Sequence, residues 1–186
     1  MIQKNNSLIP QIQAELDDIL ASWDQLTIKK ETNDSIDFSS QDSLANAIND
    51  RKRYSKMISY EFGQKQKDLA LKIQEIIEEP VLARGCSKYP AGGGLVWHDN
   101  LECVGKRLYL SFAAEYEKSF FRYQDWETKE IVTLYDQGVW EAREFEVTFE
   151  KPVWHCVESE TERYSLGFLV GEKGLNLMER QAIGLL

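Results

Sequence analysis

Gly94-Leu95-Val96-Trp97-His98-Asp99-Asn100 is the stretch on which the fold turns. An apolar, aromatic run sits between a triple glycine (Gly92-Gly93-Gly94) and an Asp-Asn pair, and reads as one short strand between two turns. Side chains two apart on a strand share a face, so His98 and Asn100 point one way and Asp99 the other. The chain has only two histidines. The second, His155, lies in a matching context, Val153-Trp154-His155-Cys156-Val157, where Cys156 faces away from it and packs in the core.

Outward from these two segments the texture stays extended. Runs rich in β-branched and aromatic residues fall around 82–89, 94–100, 107–113, 118–124, 130–135, 143–149, 153–157 and 162–170, separated by Gly, Pro and acidic turns. About eight short strands at regular spacing predict an all-β sandwich or barrel. Upstream the pattern is helical. Leu8, Ile12, Leu16, Ile19, Leu20 and Trp23 give an amphipathic helix over 6–26, with Pro10 in its first turn. Residues 29–43 are polar and rich in turn formers, which predicts a loop. Helical character resumes near 44, capped by Asp42 or Ser43. The stripe Leu69, Ile73, Ile76, Ile77 continues it until Pro80. The predicted plan is a helical extension over 1–80 packed on a β core over 81–186, as one structural domain.

The bulk numbers narrow the function. The chain's 186 residues, 42% hydrophobic and 11% aromatic, suffice for one sizeable core. A net charge of −9, with a sequence pI near 4.9, disfavours nucleic acid as a partner. The short basic run Arg51-Lys52-Arg53 reads as a solvated helix face. No apolar run is long enough for a membrane span, and the first residues lack a signal-peptide stretch. Cys86, Cys103 and Cys156 are scattered, as expected of reduced thiols in a cytoplasm, and do not have zinc-site spacing.

The chemistry follows from residue types. Two imidazoles and one oxygen donor on one face of an octahedral ion leave three positions open, which suits non-heme Fe(II) that must also take a cosubstrate and oxygen. A 2-oxoacid chelating that iron needs a cation for its far carboxylate. Arg163 offers a planar two-donor fork, and Ser165, on the same strand face, adds a hydroxyl.

With His98-Asp99-Asn100, His155 and Arg163-Tyr164-Ser165 in place, residues 89–170 resemble the 2-oxoglutarate- and Fe(II)-dependent oxygenase superfamily, whose motif is His-x-Asp, a distant His, and then a basic residue, often as Arg-x-Ser. Tyr89-Pro90-Ala91-Gly92-Gly93-Gly94 is similar to the approach to the first histidine in prolyl-hydroxylase-like members, of the small bacterial or phage type. The resemblance implies a double-stranded β-helix, or jelly roll, flanked by helices. It implies a dioxygenase using Fe(II), 2-oxoglutarate and molecular oxygen on an unidentified substrate. It also implies metal ligands at His98, Asn100 and His155, and cosubstrate contacts at Arg163, Ser165, Tyr89 and Tyr109. Both tyrosines are equally read as aromatic filling of a β core.

The sequence departs from the motif where a carboxylate belongs. Asn100 offers a neutral amide oxygen, so iron affinity falls. Three readings stand open: Asn100 ligates and the enzyme works; a twist or bulge turns Asp99 inward as the ligand; or the site is vestigial and the jelly roll is a binding or accessory module. A halogenase would need a smaller residue there. A cupin-like metal protein without an oxoacid leaves Arg163 and Ser165 unexplained. Arg122 is a candidate substrate contact, Trp140 and Trp154 either wall the pocket or pack, and Asp125 and Asp136 read as turn acids without a catalytic role. The triple glycine is a tight turn, since no Gly-Lys-Ser/Thr follows it.

Overall fold

The computed structural model describes residues 2–35, 43–50 and 54–171. Arg51–Arg53, Asp42 and the side chain of Ser43 lie outside the described residues. The elements are, in chain order, β1 (Gln3–Lys4), α1 (Ile9–Ala21), β2 (Ile28–Asn33), α2 (Ser43–Asp50), β3 (Ser55–Tyr60), α3 (Gln64–Ile77), β4 (Val81–Tyr89), β5 (Gly93–His98), β6 (Gly105–Ala113), β7 (Ser119–Gln124), β8 (Ile131–Tyr135), β9 (Glu141–Val147), β10 (His155–Ser159) and β11 (Arg163–Val170), with one 3-10 turn at Trp23–Gln25. All eight expected strands after residue 80 are present.

The strands hydrogen-bond in the order β1-β9-β6-β11-β4-β3-β5-β10-β7-β8, and every pairing among the described residues is antiparallel. From β4 onward the chain crosses back and forth between two four-stranded groups, β9-β6-β11-β4 and β5-β10-β7-β8, except at the β7-β8 hairpin, which stays in the second. This is the jelly roll, with the two groups curled into one wall. The fold is mainly β with flanking helices, as expected.

Period-two alternation sorts the side chains. On β6 and β11, Leu108, Leu110, Leu166 and Phe168 face outward and pack against Ile12, Leu16 and Ile19 of α1 and Leu69 and Ile73 of α3. Trp23 seals this layer edge-on to Tyr60 and Tyr164, at 5.8 and 4.9 Å. The opposite residues, including Tyr89, Tyr109, Phe121, Phe145 and Val157, fill the inside of the roll. A third, smaller cluster of Ala47, Trp97, Cys156, Phe120 and Trp154 lies on the outer face of the second group, under α2. Cys156 thus faces away from His155, and burial pushes its thiol up to about 12.

The first 80 residues differ from the expectation of helices and a loop. Residues 29–33, the start of the stretch 29–43 read as loop, fall in β2, and 55–60, read as helix, form β3. β3 joins the two groups, pairing Ile58 with Lys88 of β4 and Ser55 with Leu95 of β5. Its sequence, Ser55-Lys56-Met57-Ile58-Ser59-Tyr60, mixes polar and apolar residues without a clean period-two pattern. The unpaired backbone edges of β4 and β5 impose the extended state. β2 pairs only with β3 and is almost wholly exposed, its Lys29 and Lys30 marking an outer edge. α3 ends as its sequence predicts: Glu78 adopts a left-handed φ of 57° and Pro80 follows. Of the triple glycine only Gly92 lies in the tight turn, with Ala91, while Gly93 and Gly94 open β5. Gly92 has φ +69°, and a Cβ on Gly93 would lie 2.7 Å from the carbonyl oxygens of Lys56 and Pro90.

Candidate metal and oxoacid site

A bulge aims the first histidine. His155 pairs with His98 and Val157 with Leu95, so β5 spends three residues where β10 spends two. The extra residue reverses the side-chain alternation between Leu95 and Trp97. Leu95 faces into the roll, Trp97 faces out into the α2 cluster, and His98 turns back inward opposite His155. The ring centroids of the two histidines are 4.1 Å apart.

Each imidazole is held by its own backbone. His98 Nδ1 lies 2.9 Å from the Val96 carbonyl oxygen and His155 Nδ1 2.8 Å from that of Val153. A carbonyl only accepts, so both Nδ1 atoms carry the proton and donate it, leaving Nε2 as the unprotonated nitrogen on each ring. Phe121 stacks on His155 at 5.0 Å and 20°, with Phe145 and Tyr109 edge-on around it. Both histidines are buried.

The strand ends at His98, and Asn100 takes a left-handed φ of 57°, a conformation Asn tolerates. It still lines the same cavity. Its Nδ2 donates to Tyr109 Oη at 3.0 Å and lies 3.4 Å from His155 Nε2. Rotating the amide exchanges nitrogen for oxygen at that point, and the Tyr109 hydroxyl serves either arrangement because it both donates and accepts. Asp99 does not line this cavity. It is buried beside it, its Oδ1 accepting the Leu101 N–H at 3.2 Å. Among the described residues no three His, Cys, Asp or Glu side chains gather at one point.

The cavity, of about 350 Å³, is also lined by Tyr89, Tyr109, Arg163 and Ser165. Paired glycines Gly85 and Gly167 leave room in it; a Cβ on Gly167 would press on the Tyr109 ring at 3.2 Å. Arg163 is buried, its guanidinium 5.5 Å from the Tyr89 ring centroid, and burial pushes the Tyr89 phenol up to about 12.

Arg163 is held by a partner that sequence reading set aside. Asp136, expected to be a turn acid, is fully buried. Its Oδ2 accepts Arg163 Nε at 2.8 Å and the Ser119 hydroxyl, and its Oδ1 accepts Arg143 Nη2 at 2.8 Å and the Ser111 hydroxyl at 3.4 Å. Arg143 Nη2 also donates to Glu141 Oε2 at 2.8 Å. Burial alone would raise the Asp136 carboxyl; Arg163 and Arg143, with the Ser119 hydroxyl, outweigh it and hold it well below the usual carboxylate range. Asp125 is the turn acid expected, accepting from the N–H groups of Glu127 and Thr128. Arg122 sits opposite Cys156 on the outer face, donating to Thr133 Oγ1 at 2.8 Å and covering the Phe120 ring, and does not line the cavity. Trp140 packs on Phe112 in the helix-side layer, while Trp154 lines a second concavity beside His98.

Sequence reading missed Arg107, Ser111 and Arg143. Arg107 is buried on the cavity wall, with Nη2 donating to the Cys103 carbonyl. A signal was available: Arg107, Tyr109 and Ser111 alternate with Leu108, Leu110 and Phe112, which puts the first set inside once the second is recognised as facing the helices.

No protein-family model and no curated protein sequence matches this chain. Solved structures do. A 2OG-Fe(II) oxygenase family oxidoreductase from Burkholderia pseudomallei superimposes with TM-score 0.53 at 12% identity, over 88% of this chain and 82% of that one. A prolyl-4-hydroxylase from Pseudomonas putida gives 0.52 at 12%, over 93% and 92%. A Trichoplax adhaerens prolyl hydroxylase, solved with a hypoxia inducible factor peptide fragment, gives 0.51 at 13%, over 100% and 86%. At such identities the likeness is one of fold, and this chain has the fold of the 2OG-Fe(II) oxygenases and prolyl hydroxylases.

Proposed function

We propose that this protein is a 2-oxoglutarate- and Fe(II)-dependent oxygenase that hydroxylates a substrate bound beside His98. The observation that carries this reading is the convergence of two imidazoles, each locked with Nε2 unprotonated, on a cavity that also exposes Arg163 and Ser165. The donor set fits the group. His98 and His155 would hold the ion, with the rotated Asn100 amide oxygen as a third, neutral donor. Bound iron would supply oxygen activation, with 2-oxoglutarate as the two-electron reductant leaving as succinate and carbon dioxide.

The residues of this chain do the rest. Arg163 spends Nε on Asp136, which orients its two Nη groups as a fork for the far carboxylate of the oxoacid; Ser165 adds a hydroxyl. His155 opens β10, and Arg163 follows the turn after that strand's far end. Arg163 is the first residue of β11, the next strand in the chain. Phe121, Phe145 and Tyr109 keep water from His155.

Anaerobic titration with Fe(II) and then 2-oxoglutarate tests this. A weak visible charge-transfer band and a raised melting temperature are expected. The neutral Asn100 favours one other reading, an oxygenase scaffold kept as a binding module. Absence of the band together with absence of thermal stabilisation by either ligand decides for that.

A further inference from the structure

Beside the first cavity is a second concavity of about 560 Å³, lined by Trp97, Leu101, Phe149 and Trp154 and by Asp99 and Glu102; His98 and Glu102 border both. Among the described residues no Lys or Arg lines it. Asp99 is only 7% exposed, and its Oδ2 has no hydrogen-bond partner. A buried carboxylate with an unsatisfied oxygen is unfavourable until a positive charge comes near. Phe149, 72% exposed, holds an aromatic ring in water on the turn closed by Thr148 N–H to the Lys151 carbonyl, where it serves no core.

Aromatic faces attract cations through their quadrupoles, and a carboxylate in a partly dry setting adds to that field. The type of cation follows from the lining, in which three aromatic residues and Leu101 outnumber the two acidic ones. A metal ion prefers a shell of oxygen donors, and a primary ammonium needs three hydrogen-bond acceptors in place. A quaternary or heavily methylated ammonium needs neither, only apolar contact and a nearby negative charge. The chain's net charge of −9 favours the approach of such a ligand.

We propose that this concavity is a binding site for a quaternary or methylated ammonium group. Resting on the oxygenase reading above, it follows that the substrate carries that group, which seats its neighbouring atoms beside His98.

The test uses the full chain without iron or oxoacid. It is titrated with choline and, separately, with 3,3-dimethyl-1-butanol, the uncharged carbon isostere, following tryptophan fluorescence. Choline is expected to saturate in the millimolar range or tighter, with the isostere at least about tenfold weaker. Phe149→Ala, which removes an exposed ring that folding does not need, and Asp99→Asn are each expected to weaken choline by about tenfold. Equal binding of the two probes, no saturation by choline, or unchanged affinity in both variants overturns the proposal. Because no iron is present, choline binding without the Fe(II)/2-oxoglutarate band sinks only the oxygenase reading, and the band without choline binding sinks only this one.

Discussion

Replacing Asp136 by Asn tests the buried charge network that positions Arg163. Asn keeps the shape and one acceptor but removes the charge between two guanidiniums that are themselves buried, Arg143 at 0% and Arg163 at 2% exposure. Glu141 then remains as the carboxylate bonded to Arg143, and Arg163 loses its ion pair. Breaking a buried pair by deleting one partner costs about 3–5 kcal/mol, because the survivor stays buried and uncompensated. In a domain of this size that lowers the melting temperature by about 6–15 °C. Acid behaviour gives a second readout. The folded carboxyl is depressed, so its contribution is fully present above the unfolded pKa of about 3.9 and drains away as pH falls below it toward the folded value. Urea denaturation from pH 7 down to pH 3 therefore shows wild type losing stability in acid more steeply than Asp136→Asn, the two curves converging. A variant within about 1 kcal/mol of wild type at pH 7, or with the same acid slope, would refute a network held together by this charge.

Other consequences are read with metal, oxoacid and stability assays. Asn100→Asp keeps the left-handed turn, which Asp also tolerates, and supplies a charge; Fe(II) affinity by anaerobic calorimetry is expected to rise about 10–100-fold. Deleting Val96 removes the extra residue of β5 and leaves Leu95, Trp97 and His98 in regular alternation opposite Val157, Cys156 and His155, so His98 stays in the cavity; Fe(II) affinity within a few-fold of wild type and cooperative unfolding are expected. Arg163→Ala weakens 2-oxoglutarate binding and also strands Asp136, so its affinity loss comes with about 3–5 kcal/mol of destabilisation in urea. Leu16→Ala opens a hole between α1 and the sheet and costs about 2–5 kcal/mol with no effect on either ligand.

The strands from β4 to β11 were legible because their inner and outer residues alternate along runs such as Leu108, Leu110 and Phe112 against Arg107, Tyr109 and Ser111, and period two is a local signal. β3 carries no such signal. It is a strand because two edges on either side need partners, and residues far along the chain supply those edges. The candidate site divides in the same way. His98, His155, Arg163 and Ser165 announce themselves by side-chain chemistry and order. The rotation of His98 toward His155 is set by one bulge, which two strands distant in sequence decide between them.

Sequence alone determined an all-β sandwich or barrel, the donor types and the absence of a carboxylate at Asn100, because these rest on residue identity and local periodicity; the jelly roll in particular was what the family resemblance implied. Tertiary structure decided three things: that Asp99 lies in a neighbouring aromatic concavity, that Arg122 faces outward, and that Asp136, reached from β6, β7, β9 and β11 at once, is the anchor of Arg163. Burial and charge pairing are sums over strands that meet only in space, so no window of the chain contains them.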